Sequence, residues 1–131
     1  MTTNRKTLTQ AMFETNCPYS NPYQGNDKRV LFVCSAGLLR SATAARIYAG
    51  KYNTRAAGSS HYALVPVSDA LIAWADEIVF VNQHNRDEVD KTYELETIGL
   101  QKKIVVLDIP DDYEHMHPEL IKAFKEQYED F

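Results

Sequence analysis

Cysteine is scarce in this chain of 131 residues: Cys17 and Cys34 are the only two. So few thiols, in such different contexts, exclude a disulfide framework and leave a reduced, cytoplasmic setting as the expectation. Basic charge is scarce too. Fourteen lysines and arginines are set against eighteen aspartates and glutamates, a net charge of −4. No basic run is interleaved with aromatic residues, which argues against a nucleic-acid partner. Long apolar runs are missing: the longest falls well short of a membrane span, and the N-terminal segment lacks the apolar core of a signal peptide, so no membrane partner is expected. Internal repeats and low-complexity tracts are missing as well. What is there is an ordinary globular composition, 44% hydrophobic and 24% charged, in a length that suits one domain with a proper core.

Residues 1–28 read as an N-terminal extension, with a short helix over Thr7–Thr15 and a turn-rich strap through Asn16–Asn26. The domain proper is expected over residues 29–131, where short apolar runs alternate with helical patterns. Strands are expected at 29–34, about 53–57, Ile78–Val81 and Lys103–Ile109. Helices are expected at about 39–49, from the Ser68 cap through Trp74 and Ala75, from the Asn82 cap to about Lys91, and from Pro118 through Tyr128. Alternation of this kind predicts an α/β fold whose parallel sheet is covered by helices on both faces. Ligands of such sheets bind beyond the carboxyl ends of the strands. Cys34, Asn82 and the acidic run Asp108–Tyr113 all follow strands, so they belong on one rim.

The chemistry concentrates in Val30-Leu31-Phe32-Val33-Cys34-Ser35-Ala36-Gly37-Leu38-Leu39-Arg40-Ser41. A buried strand ends at a thiol; five residues later come an arginine, a serine and an alanine-rich helix. Backbone N–H groups converge where a loop opens a helix, and the helix dipole is positive there, which makes an anion cradle with a nucleophile at its floor. Thiolate is a good nucleophile for phosphorus, and its ordinary pKa near 8.5 must fall for it to be present at neutral pH; helix N-terminus, loop amides and guanidinium all act in that direction. Arg40 can hold two phosphoryl oxygens in a planar fork. Ser41 offers a hydroxyl to the sulfur, first as nucleophile and then as leaving group. Gly37, mid-loop, suits a backbone turned inward with positive φ. The plainer alternative is a buried structural cysteine followed by a surface arginine.

These residues resemble a low-molecular-weight protein tyrosine phosphatase, most closely a short branch of the family carrying an Ile-Pro-Asp-Asp-Tyr-Glu segment. The matching pieces are Val30–Ser41, Ala57-Gly58-Ser59, Trp74-Ala75-Asp76, Asn85 and Leu107–Glu114. The resemblance implies a doubly wound four-stranded parallel sheet of order 2-1-3-4 and hydrolysis of phosphate monoesters without metal or other cofactor. Cys34 would attack phosphorus, the amides of Ser35, Ala36, Gly37, Leu38, Leu39 and Arg40 would hold the phosphate with the Arg40 side chain, and Ser41 would steady the thiolate. An aspartate after the fourth strand would protonate the leaving oxygen and then activate water. Asp111 is the first choice, since Pro110 should end the strand and Asp111 is the first carboxylate able to turn over the loop; Asp112 and then Asp108 are the alternatives. Tyr113 could wall the pocket, with His61-Tyr62 on the other side; ordinary surface packing is the plain reading of both.

The chain also departs from the family. Gly37 stands where an asparagine is usual, Leu39 replaces a second loop cysteine, Ala42 replaces a proline, and Ala56 stands where a serine usually supports the loop. These changes should thin the support of the loop while leaving thiol and guanidinium intact. His115 and His117 make a poor metal set, with Pro118 placing His117 at a helix cap, and Trp74 reads as core. Cys17 could in principle pair with Cys34 as a redox control. The expected partner is a phosphorylated substrate, either a phosphotyrosine protein or a small phosphate ester. Rival readings are arsenate reduction on the same scaffold and a non-catalytic phosphate- or phosphopeptide-binding module.

Overall fold

In a computed structural model, residues 28–35, 39–60, 62–63, 65–93, 95, 102–111 and 113–129 are described. The order is β1 (Arg29–Cys34), α1 (Arg40–Ile47), β2 (Asn53–Gly58), α2 (Asp69–Trp74), β3 (Glu77–Phe80), α3 (Gln83–Asp90), β4 (Lys103–Val106) and α4 (Pro118–Gln127). The four strands form one sheet of order β2-β1-β3-β4, and every pairing is parallel. This is the doubly wound α/β arrangement expected from the alternation. The expected Thr7–Thr15 helix and the rest of residues 1–27 lie outside the described residues.

Strand periodicity sorts the core onto two faces. Val30, Phe32 and Cys34 pack with Ala44, Tyr48, Leu120, Phe124 and Tyr128, the side of α1 and α4. Leu31 and Val33 pack with Leu71, Ile72, Trp74 and Val89, the side of α2 and α3. β1 is therefore apolar along its whole buried length because both of its faces are covered. Trp74 is core as expected, and the guanidinium carbon of the buried Arg55 lies 4.3 Å from its ring centroid, so a β2 cation is housed against an aromatic face.

The caps at Ser68 and Asn82 form as expected: their side-chain oxygens accept from Leu71 N at 3.3 Å and Asn85 N at 3.2 Å. His117 caps α4, its Nδ1 accepting from Glu119 N at 3.1 Å. The fourth strand is shorter than the pattern predicts. Regular pairing stops at Val106, although Leu107 N and Ile109 N still donate to the carbonyls of Phe80 and Val81. Beyond Val106 the chain continues as a single edge, and Pro110 has no N–H with which to extend it.

At the amino end of the sheet, away from the rim that carries Cys34, the buried Glu77 carboxylate is met by Lys28 Nζ at 3.3 Å, Lys103 Nζ at 3.6 Å and the Tyr128 hydroxyl. Phe32, Tyr48 and Tyr128 pack ring against ring above it, with centroids 5.2 to 5.9 Å apart. Burial pushes the Tyr48 hydroxyl well above the ordinary tyrosine pKa, with the Glu129 charge adding to it; burial and then the bond to Glu77 do the same for Tyr128. Both phenols thus hold their protons in the fold and release them near pH 10 when unfolded. A raised folded pKa means stability fully present below about pH 10 and lost as pH rises beyond it, at up to about 1.4 kcal/mol per pH unit for each retained proton. Chemical denaturation between about pH 9 and 11 is expected to follow that slope, and Tyr48→Phe is expected to make it shallower.

Candidate active site

Cys34 and Asp111 both come to the first turn of α1, Cys34 through Ser41 and Asp111 through Arg40. β1 ends at Cys34, at the point where the chain winds to β2 on one side and to β3 on the other, so the residue occupies the topological switch point of the sheet. Cys34 is buried, and its Sγ lies 3.0 Å from the equally buried Ser41 Oγ, in the first turn of α1. A hydroxyl in that place can donate to a thiolate, which is the state in which sulfur attacks and leaves.

α1 begins unlike the other helices described. Ser68, Asn82 and His117 cap theirs with a side chain, but Leu39 stands at the N-cap of α1 and makes no side-chain cap bond. Its first amides are left to other acceptors, with the positive end of the helix dipole behind them. Arg40 is the first helical residue and is almost wholly buried. Its Nη1 donates to the Ile109 carbonyl at 3.0 Å and its Nη2 to Ser35 Oγ at 3.4 Å. Its Nε is buried with no aligned acceptor among the described residues, although Asp111 Oδ1 stands 3.5 Å away as an ion pair. A buried guanidinium with a donor unspent, beside uncapped helix amides and a thiol, suits an oxyanion with several acceptor oxygens.

Two further side chains hold the cradle from below. Asn85, fully buried in α3, donates from Nδ2 to Ser35 Oγ and to Ser59 Oγ, each at 3.1 Å. Ser59 Oγ in turn donates to Glu88 Oε1 at 2.6 Å, and His84 Nε2 lies 3.2 Å from the same oxygen. The backbone repeats the link, Ser59 N donating to the Cys34 carbonyl at 2.7 Å and Ser60 N to that of Ser35 at 3.1 Å. Ala56 sits inside β2, paired with Phe32, and its methyl group has no hydrogen bond to offer. Support that Ala56 lacks thus comes from Ser59 and Asn85. Both belong to the segments that carry the family resemblance, but nothing local marks either as a support, since they lie 26 residues apart. A cleft of about 290 Å³ between Ser59–Ser60 and Glu88–Tyr93 opens beside this network, on the α2/α3 side of the rim; Cys34 packs with the other side.

Of the residues singled out in the sequence, Cys34, Ser35, Arg40, Ser41 and Asp111 are brought together. Leu39 is at the head of α1, partly exposed. Asp108 is held elsewhere: its N–H donates to Gln127 Oε1 at 2.7 Å and its carbonyl accepts from Gln127 Nε2 at 2.8 Å, tying it to the end of α4. Tyr113 is half-buried against the α1/α4 core, its ring 5.4 Å from that of His117. The Tyr62 ring stands in solvent, 96% exposed. Ala36, Gly37, Leu38, His61, Asp112 and Cys17 lie outside the described residues. Among the described residues no group of three metal-ligating side chains occurs, and no helix is long and apolar enough to cross a membrane. Comparison with protein-family models, with curated proteins and with solved structures finds no match to this chain.

Proposed function

We propose that this chain is a phosphate-monoester hydrolase of the low-molecular-weight tyrosine phosphatase type, working through a phosphocysteine on Cys34. One observation carries the reading: a thiol 3.0 Å from the Ser41 hydroxyl, at the mouth of a helix whose first residue is the buried Arg40. Phosphotyrosine or a small phosphate ester is the substrate class, and the scarcity of cysteine suits a reduced cytoplasmic setting for a working thiolate.

In the first step the substrate phosphate enters the cradle and displaces Asp111 from Arg40, and the freed carboxylate takes a proton from solvent and lies over the leaving oxygen as the acid. Cys34 thiolate attacks phosphorus in line; the bond from phosphorus to the ester oxygen breaks, and that oxygen takes the proton of the Asp111 carboxyl. Arg40 and the helix amides hold the three equatorial oxygens as charge gathers on them. In the second step water attacks the phosphocysteine, gives its proton to the Asp111 carboxylate, and the phosphorus–sulfur bond breaks. The Ser41 hydroxyl donates to the departing thiolate.

p-Nitrophenyl phosphate hydrolysis in the presence of a chelator tests the reading. Turnover is expected to survive chelation; tight phosphate or tungstate binding without turnover would instead indicate a binding module, and arsenate consumption that requires a thiol reductant would indicate a reductase. Asp111→Asn is expected to lower kcat/KM for phenyl phosphate by about 10²–10⁴-fold, the usual worth of a positioned general acid. Asp108→Asn, whose backbone is tied to α4, is expected to change it little. The reverse order in these two variants would move the acid to Asp108.

A further inference from the structure

We propose that Thr43 is a positioning residue: its hydroxyl clamps the segment from Ile109 to Met116 onto α1 and so fixes Asp111 over the cradle. The proposal rests on the phosphatase reading for its kinetic consequence, but its structural content does not. Thr43 is fully buried, one turn after the N-cap of α1. A threonine hydroxyl has one proton to give and two lone pairs to offer. Here the proton goes to the Leu39 carbonyl at 2.7 Å, a bond threonine commonly makes to its own helix. The oxygen then accepts the Met116 N–H at 2.8 Å, and His115 Nδ1 stands 3.3 Å from it. The hydroxyl thus links its own helix to a segment more than seventy residues further along the chain, and its remaining lone pair accepts from His115 in the tautomer that carries the proton on Nδ1.

The backbone at the far end of that segment fits the same account. Met116 has φ of 62°, the left-handed region that residues with a side chain seldom enter. Such a conformation persists where the surroundings over-determine it. The surroundings here are the bond to Thr43, the turn closed by His117 N on the Glu114 carbonyl at 3.1 Å, and the start of α4 immediately after. The near end of the segment is held by Arg40 Nη1 on the Ile109 carbonyl. Arg40 and Thr43 are three residues apart and share one face of α1. The acid-bearing segment is therefore stapled at both ends to the first turn of the helix that opens the phosphate cradle, with Asp111 and Tyr113 between the staples. The acid thus takes its position from the same helix whose Ser41 hydroxyl faces the Cys34 sulfur at 3.0 Å.

Thr43→Val removes the hydroxyl and keeps the shape; Thr43→Ser keeps the hydroxyl. Measured as kcat/KM over a series of aryl phosphates, Thr43→Val is expected to lose about tenfold or more with leaving groups that need a proton, such as phenol, and under about threefold with p-nitrophenol, since misplacement of a positioned group costs on this scale. Thr43→Ser is expected to restore the wild-type dependence on leaving group. An equal loss across the series, or none, would overturn the clamp. Amide hydrogen exchange separates this outcome from failure of the phosphatase reading. The Met116 amide of the wild-type chain is expected to be protected, and in Thr43→Val exchange is expected to accelerate over 109–116 and not over β1. An unprotected Met116 amide in the wild type would overturn the clamp even if Thr43→Val did not fold. Protection without any turnover in the wild type would keep the clamp and remove the phosphatase.

Discussion

Replacing Cys34 by serine is expected to reduce phosphate-monoester hydrolysis by about three orders of magnitude or more, the scale on which loss of a covalent nucleophile is felt. The physical reason is specific to this position. Cys34 is buried at the end of β1 and its sulfur lies 3.0 Å from Ser41 Oγ. A serine in its place would present a far less acidic hydroxyl to the same donor. Nearly the same volume is kept, so the β1 core and the bonds from Ser59 N to the residue 34 carbonyl should persist, and thermal unfolding should shift little. The variant should still bind phosphate or vanadate. A Cys34→Ser protein with full activity would mean that the catalytic group lies elsewhere; loss of binding together with activity would mean that the substitution had broken the cradle and not just the chemistry.

Arg40→Lys is expected to cost about 10²–10³-fold in kcat/KM, although the charge is conserved. The guanidinium does three things at once that an ammonium cannot. Nη1 holds the Ile109 carbonyl, Nη2 reaches Ser35, and Nε faces Asp111 with a buried donor to spare. A lysine has one compact set of donors on a thinner stem and must choose among these places. A lysine that shares its donors holds Ile109 less firmly and loosens the acid-bearing segment as well as the cradle, so the loss should fall on both kcat and KM. Arg40→Ala leaves the buried Ile109 carbonyl unbonded in addition, and a charged hydrogen bond of that kind contributes about 1.5–3 kcal/mol. Its unfolding midpoint should fall measurably below that of Arg40→Lys. Equal activity in wild type and Arg40→Lys would show that no planar, two-point grip on phosphate is used.

Much of the framework was legible in the residues, for physical reasons that differ from element to element. β1 announces itself because a strand covered on both faces must be apolar throughout, and Val30–Val33 is. Ser68, Asn82 and Pro118 mark helix starts because capping and the first-turn tolerance of proline are local effects, complete within four residues. The end of β4 was less legible. Leu107 and Ile109 alternate like strand residues and still bond the neighbouring strand, yet the regular ladder stops at Val106.

The site divides along the same line. Cys34, Arg40 and Ser41 lie within eight consecutive residues, so their meeting follows from one strand, one loop and one helix turn. Asp111 was a choice among three acids on the strength of Pro110, and it stands by Arg40 while Asp108 is drawn to Gln127. Ser59, Asn85 and Glu88 come from two elements brought side by side by the winding of the sheet, and a serine before a loop or an asparagine in a helix is unremarkable by itself. Thr43 is the clearest case. In an alanine-rich helix it reads as a small filler residue, and its work is done through Met116, which only the folded chain brings to it.

In the proposed reaction phosphorus becomes bonded to the Cys34 sulfur, and acid quenching of the protein during turnover of an aryl phosphate, followed by peptide mass spectrometry, would capture that bond. The expected result is one added phosphoryl group, located on Cys34, at higher occupancy in Asp111→Asn, where both formation and hydrolysis slow but a substrate with a good leaving group still forms the intermediate. Steady turnover with no phosphoryl group on Cys34, or with the group on another residue, would contradict the account.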